Sequence, residues 1–145
     1  MSRRLATIGY EQATLPDVIG RLKQAGVQIV IDVRAVAASR RAGFSKTLLA
    51  GSLKAEGIDY LHLRGLGTPK SGRQAARAGR IGEMHEIFNA HLEEPEAQAQ
   101  LSQACDVAKD QTAALLCYEA DAGGCHRAIV AELIRQRLGC EVVDL

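Results

Sequence analysis

The stretch QIVIDV, residues 28–33, limits what this chain can fold into more than any other segment. It is continuous, apolar and rich in β-branched residues. A strand of that kind has no polar face to turn to water, so it must be covered on both sides. Runs of similar character recur at LATI (5–8), IDYLHL (58–63), TAALLC (112–117) and CEVVDL (140–145). The segments between them are spaced like helices. TLPD supplies a capping hydroxyl at Thr14, an early proline and an acid three residues on. Leu15, Val18, Ile19 and Leu22 form one apolar stripe, which Gly26 ends. Ser45 is expected to cap a second helix reaching Gly57. The segment 64–79 reads as a loop in which RQAARA supplies a helical turn. IGEMHEIFNAHL and PEAQAQLSQACDVAKD read as two helices meeting near Glu94 and Pro95, and CHRAIVAELIRQRL as the last.

Strands alternating with helices imply a mostly parallel sheet covered on both faces. The fold class expected is α/β: a single three-layer Rossmann-like domain over residues 1–145, with about five strands. A chain of 145 residues suits one core and is short for two. It has no apolar run near the ~20 residues of a membrane helix. Its start, MSRRLATIGY, lacks a signal-peptide core, so a cytoplasmic protein without a membrane partner is expected. Four cysteines without framework spacing argue against structural disulfides.

In an open α/β sheet, ligands collect beyond the carboxyl ends of the strands. Gly9 and Tyr10, Asp32 and Arg34, His62 and Arg64, and Cys117 and Glu119 all stand there. Asp32 and Arg34 are expected to leave their strand toward opposite sides, one binding a ligand and the other bracing a loop. The alternative is a structural ion pair that fixes loop 34–44. Arg40 and Arg41 follow within reach of the same crevice.

The densest chemistry is CYEADAGGCHR, residues 117–127. Cys125 falls at or just before the first turn of the last helix. Unpaired N–H groups and the helix dipole there favour a thiolate or a bound anion, and Arg127 adds positive charge. Cys105 and Cys140 read as small buried hydrophobes, and Cys117 either packs or reacts. Glu119 and Asp121 would raise a nearby thiol, so Glu119 suits a general base or a partner of Arg127 or Arg34. Cys117, Glu119, Cys125 and His126 include metal-ligand types, but an eight-residue step between cysteines is not a usual zinc spacing, and no metal is expected. His62 is expected to be packed and hydrogen-bonded, and His85 and His91 to lie on the surface.

Net charge is +1, so its distribution says more than its sum. Arg64, Lys70, Arg73, Arg77 and Arg80 follow one another with no acid between. Such a stretch attracts phosphate or carboxylate, and nucleic acid is a weaker possibility. Aromatic content of 3% without tryptophan argues against a base-stacking platform for single-stranded nucleic acid.

Taken in order, TIGY, IDVR with SR, GFSK, LKAEGIDYLHLRGLGTPK, ALLCYE and CHR resemble the domain of unknown function 488 family. The resemblance implies a Rossmann-like α/β domain and supplies no reaction. Its signature positions would be Gly9, Asp32, Arg34, Ser39, Arg40, Leu66, Gly67, Cys117, Glu119, Cys125, His126 and Arg127. Family members often carry proline between DVR and SR, where this chain reads AVAA. A fainter likeness is to the rhodanese layout, in which a short loop of N–H groups holds a persulfide cysteine. Here seven residues, two of them acids, separate Cys117 from Cys125.

The leading expectation is an enzyme-like pocket for an anionic small molecule or nucleotide-like group. Cys117, Glu119, Cys125, His126 and Arg127 would carry the chemistry. Gly9, Tyr10, Asp32, Arg34, Arg40, Lys70 and Arg73 would bind the ligand, with the basic segment as a lid. The alternatives are rhodanese-like sulfur transfer or thiol phosphatase chemistry, and a non-catalytic ligand- or nucleic-acid-binding regulatory module. No particular cofactor and no oligomeric state is read from the chain.

Overall fold

Five parallel strands form one sheet in the computed structural model, which describes residues 4–120 and 125–145. They are β1 (Arg4–Gly9), β2 (Ile29–Asp32), β3 (Asp59–His62), β4 (Ala113–Cys117) and β5 (Glu141–Asp144), in the order β3-β2-β4-β1-β5. β2 and β4 are buried at every residue, as the apolar runs require. The edge strands β3 and β5 are half-exposed and carry Asp59, Glu141 and Asp144, charges that discourage pairing with another chain.

Side-chain alternation along the strands sorts the core into two layers. On one face Val18 and Leu22 of α1 (Leu15–Gln24) and Leu49 and Leu53 of α2 (Lys46–Ala55) pack with Ile8, Val30 and Leu116. On the other, Ile31 and Leu115 meet α4 (Ile81–Leu92), α5 (Pro95–Asp110) and α6 (His126–Leu138) through Phe88, Leu101, Val130 and Ile134. The chain after β1 and β2 therefore turns to one face, and the chain after β4 to the other. This divergence opens a crevice at the carboxyl end of β4.

The helix starts show how local chemistry and packing share control. At α1 the expected capping box forms: Asp17 N donates to Thr14 Oγ1 at 3.3 Å, and Thr14 N donates to the Asp17 carboxylate at 3.2 Å. Those bonds hold the Asp17 acid below its ordinary value. Ser45 stands at the cap of α2, but its hydroxyl makes no cap bond. Its oxygen instead accepts from Ser39 N and donates to Ser39 O, both at 3.1 Å, and so closes loop 34–44.

The expected loop 64–79 is mostly helical. A 3-10 turn (Arg64–Leu66) leads into α3 (Lys70–Arg77), a full eight-residue helix. Gly72 disfavours helix locally, but it leaves room for tertiary contact. A Cβ there would overlap the Thr68 methyl and lie 3.3 Å from Ile87 Cγ2. Packing of α3 on α4 outweighs the propensity.

No described helix is long and apolar enough to cross a membrane.

Candidate functional site

Two buried polar clusters stand at the carboxyl edge of the sheet. The first is built on the end of β2. Asp32 and Arg34 are two positions apart, so strand alternation puts them on the same side, contrary to the opposite-side expectation. The Asp32 carboxylate accepts from Arg34 N at 3.0 Å and from its Nε and Nη2 at 2.9 and 2.7 Å. Arg34 Nη1 donates to Tyr10 Oη at 3.0 Å and to Phe44 O at 2.7 Å. Tyr60, which sequence reasoning passed over, donates its hydroxyl to Asp32. Its place in the alternating IDYLHL, with His62 two residues on, was the available signal.

These partners tie the end of β2 to β3 and to loop 34–44. Arg34 is pushed to a higher value by its Asp32 bonds against the opposing effect of burial. Burial and the Asp32 contact likewise raise the Tyr60 hydroxyl. Tyr10 stacks on Phe44 with ring centres 4.2 Å apart. With its guanidinium engaged in this way, Arg34 braces the loop.

The second cluster is CYEADAGGCHR itself, of which residues 121–124 lie outside the described residues. β4 ends in Cys117 and α6 begins after Cys125, its cap. The two sulfurs lie 2.6 Å apart, and both residues are buried. Arg127 N donates to Cys125 Sγ at 3.4 Å. The Arg127 guanidinium bends back past Cys125 to Cys117, with Nη1 2.8 Å from Cys117 Sγ. The same nitrogen donates to Glu119 O at 2.5 Å, and Nη2 donates to Ala120 O at 3.3 Å. At 1% exposure Arg127 is the largest fully buried side chain among the described residues. Among the described residues no carboxylate forms a salt bridge with it, and its Nε has no hydrogen-bond partner.

Cys125 faces different neighbours. Glu119 Oε2 lies 3.3 Å from its sulfur and His126 Nδ1 3.6 Å. His126 Nε2 is 2.7 Å from Val33 O, a group that only accepts, so Nε2 carries the proton. Burial pushes the His126 pKa down and keeps the ring neutral, which leaves the bare Nδ1 toward Cys125. The Cys125 thiol is driven up, first by its hydrogen bond with Cys117 and then by burial. The guanidinium contact falls on Cys117, the cysteine that strand burial alone would have left to packing.

Gly9 makes this geometry possible. A Cβ on Gly9 would overlap the Glu119 carbonyl and lie 2.9 Å from Ala120 N. Only a residue without a side chain lets the exit from β4 cross the end of β1. Gly67 does the same for the turn after β3, where a Cβ would overlap the Ala35 backbone.

Arg40 is exposed and makes no hydrogen bond among the described residues, whereas Arg41 donates to Glu11 O and Ala13 O, both at 2.6 Å. Lys70 is exposed at the start of α3. Arg73 is half-buried, donates to Thr68 O at 2.8 Å, and lines a cleft of about 320 Å³ with Ala35, Arg64, Gly65, His91 and Glu96. Val33 and Ala35 link the regions: Val33 O bonds His126, and Ala35 lines the cleft. His62 is hydrogen-bonded as expected, with Nε2 2.7 Å from Arg34 O. His91 is half-buried, contrary to the surface placement, because its Nε2 reaches Gly65 O at 2.8 Å.

Cys117, Glu119 and Cys125 hold ligand-type atoms within 4.8 Å of one another. Two thiolates on one tetrahedral zinc stand roughly 3.8 Å apart. At 2.6 Å these sulfurs are too close to share that ion in this arrangement. Arg127 N is a backbone donor at Cys125 Sγ, and residues 121–124 of the loop that a rhodanese-like cradle would use lie outside the described residues.

Residues 14–134 match the family described as Domain of unknown function DUF488. The match spans α1 through most of α6 and leaves out β1 and β5. Comparison with curated proteins and with solved structures gave no match.

Proposed function

The chain belongs to the DUF488 family, and we propose that it is a cysteine-dependent enzyme acting on a small anionic substrate at the carboxyl end of β4. The observation that carries this reading is the buried Arg127 guanidinium, 2.8 Å from Cys117 Sγ. Arginine stays charged in proteins, and a buried charge needs a partner. Cys117 supplies that partner in the resting protein, and an anionic substrate group takes its place during reaction. In this scheme Cys117 is the nucleophile and Cys125 the proton donor beside it. Glu119, 3.3 Å from Cys125 Sγ, relays the proton. His126 orients Cys125, while Asp32 and Arg34 keep the neighbouring loop in place. The Arg73 cleft offers room for the remainder of the substrate, with Arg64 to attract its charge.

Two alkylating reagents of similar size test this: anionic iodoacetate and neutral iodoacetamide, with labelled residues mapped by peptide mass spectrometry. Cys117 is expected to react fastest. Its iodoacetate-to-iodoacetamide rate ratio should exceed that of free cysteine about tenfold, the factor that ~1.4 kcal/mol of charge pairing supplies. Arg127→Lys should keep part of the preference and Arg127→Gln none, with circular dichroism confirming that each variant folds. Equal ratios for Cys117 and free cysteine would end the proposal.

A further inference from the structure

The contact between Cys117 and Cys125 points to chemistry that anion binding does not require. We propose that the two cysteines form a reversible intrachain disulfide by exchange with a low-molecular-weight disulfide, making the pair a two-electron redox centre. The inference rests on the same sulfurs as the reading above, but not on its anionic substrate.

Three observations carry it. The sulfurs are 2.6 Å apart and in direct contact. The secondary structure already holds them there: Cys117 ends a fully buried strand, Cys125 caps a thirteen-residue helix, and Gly9 admits the crossing between them. The pair is also asymmetric in the way thiol exchange demands. Cys117 faces the Arg127 cation, while Cys125 faces a carboxylate at 3.3 Å and a bare imidazole nitrogen at 3.6 Å. One sulfur stands beside a cation, and the other beside two groups that can accept its proton.

The Cys117 thiolate attacks one sulfur of R–S–S–R, forming Cys117–S–S–R and expelling R–S⁻. The Cys125 proton passes to the Glu119 carboxylate, and the Cys125 sulfur attacks Cys117 Sγ. The bond between Cys117 Sγ and the R-group sulfur breaks, the second R–S⁻ leaves, and it takes up the proton from Glu119. Two protein thiols lose two electrons, and one external disulfide gains them. Oxidation also removes the negative charge opposite Arg127, so the thiol activity proposed above stops until the bridge is reduced.

The full chain is equilibrated in mixtures of oxidised and reduced glutathione, and in parallel with diamide as a smaller oxidant. It is then quenched in acid, alkylated under denaturing conditions and mapped by mass spectrometry. The expected product has lost two hydrogens, carries a Cys117–Cys125 bridge and leaves Cys105 and Cys140 alkylated. Cys125→Ser should accumulate a glutathione adduct on Cys117, and Cys117→Ser about tenfold less on Cys125. Four alkylatable thiols after both oxidants overturn the proposal, as does an adduct that prefers Cys125. Four free thiols with the iodoacetate preference intact remove the redox step alone. A bridge without that preference removes the anionic-substrate reading alone.

Discussion

Substituting Gly9 by alanine tests the construction of the site most directly, because it adds one methyl group and no charge. Gly9 does not adopt a positive φ, so alanine meets no backbone strain there. What it meets is the Glu119 carbonyl, which must retreat by roughly 1.5 Å to restore ordinary contact. Both overlapping atoms belong to the backbone, so no side chain can swing aside. That retreat breaks the 2.5 Å bond from Arg127 Nη1 and shifts Glu119 away from Cys125. Overpacking costs about 1–3 kcal/mol and a lost bond to a charged group about 1.5–3, so the variant should lose roughly 3–5 kcal/mol. For a chain of this size that corresponds to a melting temperature lower by about 10–15 °C. Thermal unfolding followed by circular dichroism measures it, and the rate of Cys117 alkylation reports on the site. Gly51→Ala serves as the control: it lies in α2 with no heavy atom near its Cβ position and should gain about 0.5–1 kcal/mol. If Gly9→Ala melts with the parent, the close approach does not organise the site and the reasoning fails.

Asp32→Asn should cost about 3–5 kcal/mol in urea unfolding, because it leaves the buried Arg34 charge without its counter-ion; a loss under about 1 kcal/mol would show that the pair does not brace the loop. Acid stability should report His126. Burial lowers its folded pKa, so between about 6.5 and that lower value the unfolded chain binds the proton that the folded chain refuses. This part of the stability is complete above the unfolded pKa and declines as pH falls through the window. Denaturation midpoints compared between wild type and His126→Gln should show the decline in the wild type alone.

Much of the framework was legible in the sequence because its causes are local. QIVIDV and TAALLC are too apolar to face water on either side, and they became the buried strands β2 and β4. Thr14 and Asp17 satisfy each other within one turn and mark a helix start wherever the chain goes. CHRAIVAELIRQRL carries its own stop at Gly139, the left-handed residue that closes α6. Lys70–Arg77 was harder to read, since Gly72 is explained by its fit against the Thr68 methyl and Ile87 of α4, which only the packed structure brings together.

The residues of the candidate site were visible in the sequence, but their contacts were not. That Cys125 caps a helix follows from sequence, because the glycines before it and the apolar run after it are its neighbours. That Arg127 reaches past it to Cys117 depends on how the segment after β4 crosses the end of β1 over Gly9. The strand order β3-β2-β4-β1-β5 sets that crossing, and it arises from contacts between residues far apart in the chain. Periodicity and capping act within a turn or a strand, so the sequence by itself determined the layers, most of the helix starts and the edge at which chemistry collects. Only the tertiary structure decided which sulfur meets the buried cation, because a charge buried at 1% exposure takes its partner from whatever the fold brings within reach.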